Sequence, residues 1–167
     1  MPERDLARLD PLGPARVGDV APRDATHRRA RARCKVTMLP ETTAKVATNA
    51  ITKGDVLGAA RVAGIQAAKR SADLIPYCYP VLVGQVSVNF TIGDDCVEVE
   101  ASVDAFDRTG VEMEAMAACA IAALTVYDMC KSSDRTMSIG ELQLWEKSGG
   151  RSGVWRHADG EATSPSV

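Results

Sequence analysis

Alternating apolar and polar residues mark two consecutive strands near the middle of the chain. In QVSVNFTI (85–92) and CVEVEASVDAF (96–106), every second residue is apolar, so these side chains share one face of each segment. A two-residue period of this kind predicts half-buried strands. The turn residues Gly93-Asp94-Asp95 lie between them, which predicts that the two strands form a β-hairpin.

A period of three to four residues predicts two long helices, one on each side of the hairpin. Asp55 is a candidate N-cap for VLGAARVAGIQAAKRSADLI, and Pro76 and Pro80 then end that helix. The second helix is predicted over roughly Val111–Lys131. Both helices are dense in alanine and glycine, which permits tight packing on the chain's own sheet or a contact with a second subunit.

Two further strand patterns complete the predicted fold. They lie at RARCKVTM (31–38) and MSIGELQLWEK (137–147), which makes the element order βαββαβ. This order predicts an α+β, ferredoxin-like domain with an antiparallel sheet and two long helices. The fold hosts many unrelated functions, so it does not identify one.

The two ends of the chain lack any hydrophobic period. Residues 1–18 are rich in proline, arginine and aspartate, and residues 154–167 are similarly polar. We therefore expect a flexible N-terminal arm, one domain over 19–153 and a flexible C-terminal tail.

Composition narrows the class of protein. No apolar run approaches the roughly 20 residues of a membrane span, and the N-terminus lacks the apolar core of a secretory signal. The five cysteines include no CxxC pair, so we expect reduced thiols in a cytoplasmic protein with no metal site. A net charge of −2 and an aromatic content of 4% argue against a nucleic-acid-binding face.

The second helix carries charged residues at both of its ends. Glu112 and Glu114 lie in its first turn, where they either complement the helix dipole or take part in chemistry. Asp128 and Lys131 lie three residues apart near its end, as an exposed ion pair or as an acid–base pair at a pocket. Asp128 shares a stripe with Ile121 and Leu124 that the apolar pattern predicts to be buried.

The length of the helix separates these two groups. Fourteen residues between Glu114 and Asp128 correspond to roughly 21 Å along a helix. One small molecule cannot easily contact both ends of the same helix. If both ends are functional, a second copy of the chain supplies one of them, at a subunit interface.

Two basic segments are candidates for anion binding. Lys53 lies just before the predicted N-terminus of the first helix, where main-chain N–H groups favour anions. KSGGRSG, which includes Lys147 and Arg151, is either a flexible tail or a glycine-rich loop that binds phosphate through its amides and cations.

Taken together, these segments resemble the MoaC family, the cyclic pyranopterin monophosphate synthases of molybdenum cofactor biosynthesis. The matching stretches occur in the family's order over about residues 15–154: VGDV, KGDVLGAARVAGIQAAKRSADLIP, TGVEMEA, ALTVYDMCK and EKSGGRSG. The resemblance implies a ferredoxin-like subunit in a hexamer, a trimer of dimers, with active sites between subunits. It implies conversion of 3′,8-cyclo-7,8-dihydro-GTP to cyclic pyranopterin monophosphate with release of pyrophosphate and without a cofactor.

The resemblance also implies roles for individual residues. Asp128 matches the family's active-site carboxylate, Lys131 matches its partner lysine, and Lys53 matches a further catalytic or phosphate-facing lysine. We expect Lys53 and Lys131 to transfer protons and Asp128 to orient them. Arg28 and Lys147 match basic residues of the same pocket, and we expect them to hold phosphate oxygens. The remaining residues stand at positions where the resemblance implies substrate contacts: Tyr77, Cys78, Tyr79, Glu112, Met113 and Glu114.

One position departs from the family pattern. Where members of the family read PLCHP, this chain reads PYCYP, so Tyr79 stands in place of a histidine and Tyr77 in place of a leucine. A histidine titrates near neutral pH, whereas a phenol stays neutral and only donates or accepts hydrogen bonds. The substitution leaves two hypotheses: a synthase with reduced activity, or an inactive paralogue that binds nucleotide or assembles with an active homologue.

Overall fold

The computed structural model describes residues 17–159. Residues 1–16 and 160–167, which make up most of the predicted N-terminal arm and the end of the predicted C-terminal tail, lie outside the described residues.

The described strands form one antiparallel sheet with the order β2-β3-β1-β4-β5. They are β1 (Thr26–Thr37), β2 (Val83–Ile92), β3 (Cys96–Asp107), β4 (Ser138–Ser148) and β5 (Trp155–Arg156). Because β1 lies between β3 and β4, each helical connection joins strands that are not neighbours in the sheet. This is the split βαβ arrangement, and the predicted ferredoxin-like α+β class is confirmed.

The helices are α1 (Pro40–Ala47), α2 (Val56–Lys69), α3 (Ser71–Leu74) and α4 (Glu112–Cys130). The predicted N-cap is confirmed, since the Asp55 carboxylate accepts a hydrogen bond from the Gly58 N–H at 2.9 Å. The first long helix is shorter than predicted, because it ends at Lys69 and the short α3 follows it. Hydrophobic period does not predict α1, because its few apolar residues leave little helical pattern.

The strands at the two ends of the domain differ from the predicted ones. β1 begins at Thr26, before the predicted start at 31, because Thr26 and the residues after it pair with the end of β3. β5 lies within the segment predicted as a flexible tail, where Trp155 pairs with Lys147 of β4.

Both long helices pack on one face of the sheet, and small side chains let them approach closely. Gly64 of α2 lies at the contact with α4, where an added Cβ would lie 2.8 Å from the Ala118 carbonyl oxygen. The buried alanines of β1, β3 and α4 belong to the same core: Ala30, Ala32, Ala101, Ala105, Ala115, Ala118, Ala122 and Ala123.

α4 is the central helix of this core. By length and composition α4 is apolar enough to cross a membrane, although the sequence has no uninterrupted apolar run of that length. Half of its most apolar 18-residue segment is buried inside the fold, and the helix packs on β1, β3 and β4. This burial is what the core helix of a globular domain shows.

Candidate active site

All eight residues predicted as substrate contacts or phosphate ligands line one cavity of about 450 Å³, called the main cavity here. The end of β4, the start of α4, the start of β1 and the loop before β2 supply these residues. They are Arg28, Tyr77, Cys78, Tyr79, Glu112, Met113, Glu114 and Lys147. Residues that the sequence places up to about 120 positions apart therefore surround a single space, as β1 pairs with both β3 and β4.

The start of α4 forms the acidic side of the main cavity. Glu112 accepts a hydrogen bond from the Lys147 ammonium at 3.0 Å, so this pair is neutralised. Glu114 is 2% exposed, and its Oε2 is buried with no hydrogen-bond partner among the described residues. Burial raises the pKa of the Glu114 carboxyl above its ordinary value. A buried oxygen without a donor is a ready acceptor for a ligand N–H or O–H group.

Cys78 lies beside this carboxyl and is not a candidate nucleophile. Its thiol is 3.8 Å from Glu114 Oε1 and donates to it. Burial, and then the adjacent Glu114 carboxyl, raise the pKa of Cys78 to about 11. Because the thiolate is the reactive form, Cys78 stays an unreactive thiol near neutral pH.

The Gly149-Gly150 pair shapes the basic side of the main cavity. The Arg28 Nε donates to the Asp107 carbonyl at 3.1 Å, and its Nη2 donates to the Arg108 carbonyl at 3.3 Å. Gly150 has a φ of +70°, and a Cβ at this position would overlap the Arg28 guanidinium. Only glycine combines this left-handed backbone with so close an approach, so the glycine-rich loop holds Arg28 in place.

The three predicted catalytic residues form a second group, called the lysine–aspartate cluster. Asp128 accepts hydrogen bonds from Lys131 at 2.6 Å and from Lys53 at 3.0 Å, and Lys53 also donates to the Asp128 carbonyl at 2.9 Å. Lys131, followed by Lys53, lowers the pKa of Asp128, and Asp128 raises the pKa of Lys131. In the single chain the cluster is thus a carboxylate between two cations.

The cluster is exposed and lies away from the main cavity. The prediction that Asp128 borders a buried stripe with Ile121 and Leu124 is wrong for the single chain, because Asp128 is 56% exposed by its side chain and Leu124 is 52% exposed. α4 turns this stripe away from the sheet, since its other face already packs in the core. The cluster lies at the end of α4, whereas the glutamates lie at its start.

Several cavity residues were not predicted. Arg23, Arg29 and Thr109 also line the main cavity. Arg23 belongs to a polar segment without a period, so no sequence signal distinguishes it from solvent-exposed arginines. Within residues 17–159, no group of three or more histidine, cysteine or acidic side chains is placed to hold a metal ion.

Comparison with known proteins decides the family. The sequence profile of the MoaC family matches residues 17–150. The chain belongs to the MoaC family. A protein named cyclic pyranopterin monophosphate synthase from Thermomicrobium roseum is similar to this MoaC-family chain, with 54% identity over 160 residues that cover 95% of the chain and 96% of the relative.

Two other relatives of this MoaC-family chain carry similar names. The cyclic pyranopterin monophosphate synthase of Roseiflexus sp. is 52% identical over 151 residues, which cover 89% of the chain and 96% of the relative. The cyclic pyranopterin monophosphate synthase 1 of Mycobacterium tuberculosis is 49% identical over 154 residues, which cover 92% and 91% respectively.

Proposed function

We propose that this MoaC-family chain is a cyclic pyranopterin monophosphate synthase, a lyase of molybdenum cofactor biosynthesis. It converts 3′,8-cyclo-7,8-dihydro-GTP to cyclic pyranopterin monophosphate and releases pyrophosphate. The observation that carries the proposal is the identity of 54% over nearly the whole length of a relative with that name. The localisation that fits this role is the cytoplasm.

The main cavity fits the proposed substrate because it has an acidic side and a basic side. Arg28 and Lys147 bind phosphate oxygens at the basic side, where Arg28 is already oriented by two main-chain carbonyls. The unpartnered Oε2 of Glu114 accepts a hydrogen bond from an N–H group of the guanine-derived ring. Met113 lies between the two glutamates and is 40% exposed, so it offers an apolar contact to the ring.

The lysine–aspartate cluster supplies the proton transfers in this proposal. Lys53 and Lys131 exchange protons with the substrate, and Asp128 holds both ammonium groups in position through the hydrogen bonds described above. Because the Asp128 carboxylate raises the pKa of Lys131, this lysine is an ammonium group when the substrate binds.

A complete site requires two chains. The cluster and the main cavity lie at opposite ends of α4, roughly 21 Å apart by the helix rise. We propose that the main cavity of one subunit faces the cluster of another, within a hexamer built as a trimer of dimers. Exposed apolar side chains on the long helices support a contact of this kind, including Val62 (57% exposed) and Leu124 (52% exposed).

The direct test supplies 3′,8-cyclo-7,8-dihydro-GTP to the purified chain. We expect one pyrophosphate released for each cyclic pyranopterin monophosphate formed, measured by coupled phosphate detection and by mass spectrometry. Substrate that remains intact under conditions where a named relative turns it over would refute the proposal.

The second candidate function, an inactive paralogue, depends on Tyr79. Its side chain is half-buried and lines the main cavity at the position of the family's histidine. We expect the wild-type chain to be active, and Tyr79→His to change kcat/KM by less than about tenfold, because a phenol donates a hydrogen bond as an imidazole does. The comparison is made by pyrophosphate release at pH 7.5. If the wild-type chain releases no pyrophosphate and Tyr79→His restores the release, the chain is an inactive paralogue instead.

A further inference from the structure

A second cavity opens beside the main cavity and is called the distal cavity. Its volume is about 420 Å³, and it lies between the loop before β1 and the glycine-rich loop after β4. Arg23, Arg28 and Ser152 line both cavities, so the two spaces are adjacent. A ligand in the main cavity that extended past Arg28 would reach the distal cavity.

The distal cavity carries a surplus of positive charge. Arg23, Arg28 and Arg151 line it, and Asp24 is the single carboxylate among its described lining residues. None of the three arginines forms a salt bridge with another residue in 17–159. The Arg28 contacts to main-chain carbonyls leave its charge uncompensated.

The two cations that line the main cavity alone are neutralised by carboxylates. Lys147 is paired with Glu112 at 3.0 Å, and Arg29 is paired with Asp104 at 2.6 Å. The unpaired positive charge therefore belongs to Arg23 and Arg28, which line both cavities, and to Arg151, which lines the distal cavity alone. Guanidinium groups match the geometry of phosphate oxygens and bind them through paired N–H donors.

The sequence of charges along the two cavities implies a direction for the substrate. The buried Glu114 carboxyl lines the main cavity alone, Arg151 lines the distal cavity alone, and Arg28 lines both. A molecule with a ring bearing N–H donors and a chain of phosphates matches these charges when its ring lies at Glu114 and its terminal phosphates lie at Arg151.

We propose that the distal cavity binds the two terminal phosphates of the substrate's triphosphate through Arg23 and Arg151, and holds pyrophosphate after its release. The assignment to a triphosphate substrate rests on the proposed function; the anion site itself rests on the cavity and its arginines. It follows that pyrophosphate is a product inhibitor that competes with the substrate.

The test measures the binding of inorganic pyrophosphate to the full chain by isothermal titration calorimetry. We expect Arg151→Gln and Arg23→Gln each to weaken pyrophosphate binding by about tenfold or more, and Arg151→Lys to weaken it less than Arg151→Gln. Lys45→Gln is the matched control, since it removes one exposed positive charge from α1 and should change the affinity less than about twofold.

Turnover separates this proposal from the proposed function. In an active chain, Arg151→Gln should raise KM and the inhibition constant of pyrophosphate about tenfold with a smaller change in kcat. An active chain whose pyrophosphate affinity is unchanged in both arginine variants would overturn the distal site alone. Arginine-dependent pyrophosphate binding by a chain without synthase activity would support the site and refute the synthase.

Discussion

At the scale of single residues, the lysine–aspartate cluster and Glu114 represent two different electrostatic environments. Asp128 is exposed and lies between two ammonium groups, so neighbouring charges set its protonation state. Glu114 is buried, and the Cys78 thiol donates only a weak hydrogen bond to it. Burial is therefore the main influence on the pKa of the Glu114 carboxyl. We therefore expect that Asp128 can be replaced without harm to the fold, whereas replacing Glu114 changes the free energy of unfolding.

Replacing Asp128 should separate activity from assembly. Asp128→Asn keeps the shape of the side chain but removes the charge that orients Lys53 and Lys131. We expect kcat/KM to fall by about 10²-fold or more, with an unchanged oligomer mass and melting temperature. Pyrophosphate release and light scattering measure the two properties. Retained turnover would refute the role of Asp128.

Replacing Glu114 should stabilise the protein at neutral pH and reduce substrate binding. Burial raises the pKa of this carboxyl, so the folded chain binds its proton more tightly than the unfolded chain, where the ordinary pKa is about 4.3. The contribution of this bound proton to stability is complete below the pKa of Glu114 in the unfolded chain. It is lost as the pH rises through the pKa of Glu114 in the folded chain. Glu114→Gln should therefore increase the free energy of unfolding by roughly 1 kcal/mol at pH 7.5, with a smaller gain near pH 4.

Urea unfolding at the two pH values measures this difference between variant and wild type. Glu112→Gln is the control, because Glu112 is paired with Lys147 and its replacement should give no stabilisation. A loss of stability in Glu114→Gln at pH 7.5 would contradict the assignment of Glu114 as an uncompensated buried carboxyl.

At the scale of elements, close packing between α2 and α4 sets the position of both groups. Gly64 and the alanines opposite it allow α2 to lie against α4 in an antiparallel direction. This contact brings Lys53, which precedes α2, to Asp128 at the end of α4. The geometry of the cluster therefore depends on a helix contact made by residues without functional groups.

Gly64→Ala should disrupt this contact. The new Cβ would lie 2.8 Å from the Ala118 carbonyl oxygen and 3.1 Å from Val88 Cγ2, so the helices must move apart. We expect a loss of about 1–3 kcal/mol in the free energy of unfolding, although alanine is the better helix former. Gly140→Ala is the control, because an added Cβ there meets nothing within 4 Å. Equal stability of the two variants by urea unfolding would argue against close packing at Gly64.

At the scale of the whole molecule, the proposed site needs two chains, because its two groups lie at opposite ends of α4. A chain that lacks the cluster still has an intact main cavity, and a chain altered in the cavity still has an intact cluster. Sites shared between subunits can therefore be rebuilt from two inactive variants, which sites within one chain cannot.

Mixed assemblies of Asp128→Asn and Lys147→Ala should recover activity. Random assembly of equal amounts gives an intact cavity beside an intact cluster in about a quarter of the sites. We expect about that fraction of wild-type pyrophosphate release from co-expressed, doubly tagged oligomers. Asp128→Asn mixed with Lys53→Ala is the control and should recover nothing, since both changes lie in the cluster. No recovery in a verified mixed oligomer of the first pair would place each site within one chain.

The sequence by itself determined the βαββαβ order of the main elements, the family and eight of the residues that line the main cavity. Hydrophobic period is a local property, so the hairpin of β2 and β3, α4 and the Asp55 cap could be predicted from neighbouring residues. Motifs such as TGVEMEA and EKSGGRSG marked Glu114 and Lys147 because their residue types and spacing are typical of one family.

Only the tertiary structure decided which of these residues share a space. Arg23 and Arg151 meet around the distal cavity because β1 and β4 pair in the sheet, and no local pattern encodes that pairing. The exposed position of Asp128 was likewise not predictable. The hydrophobic period shows that α4 has apolar residues on several faces, but it does not show which of these faces the sheet covers. Long-range packing selects one face of each element, and the chemistry of the site depends on that selection.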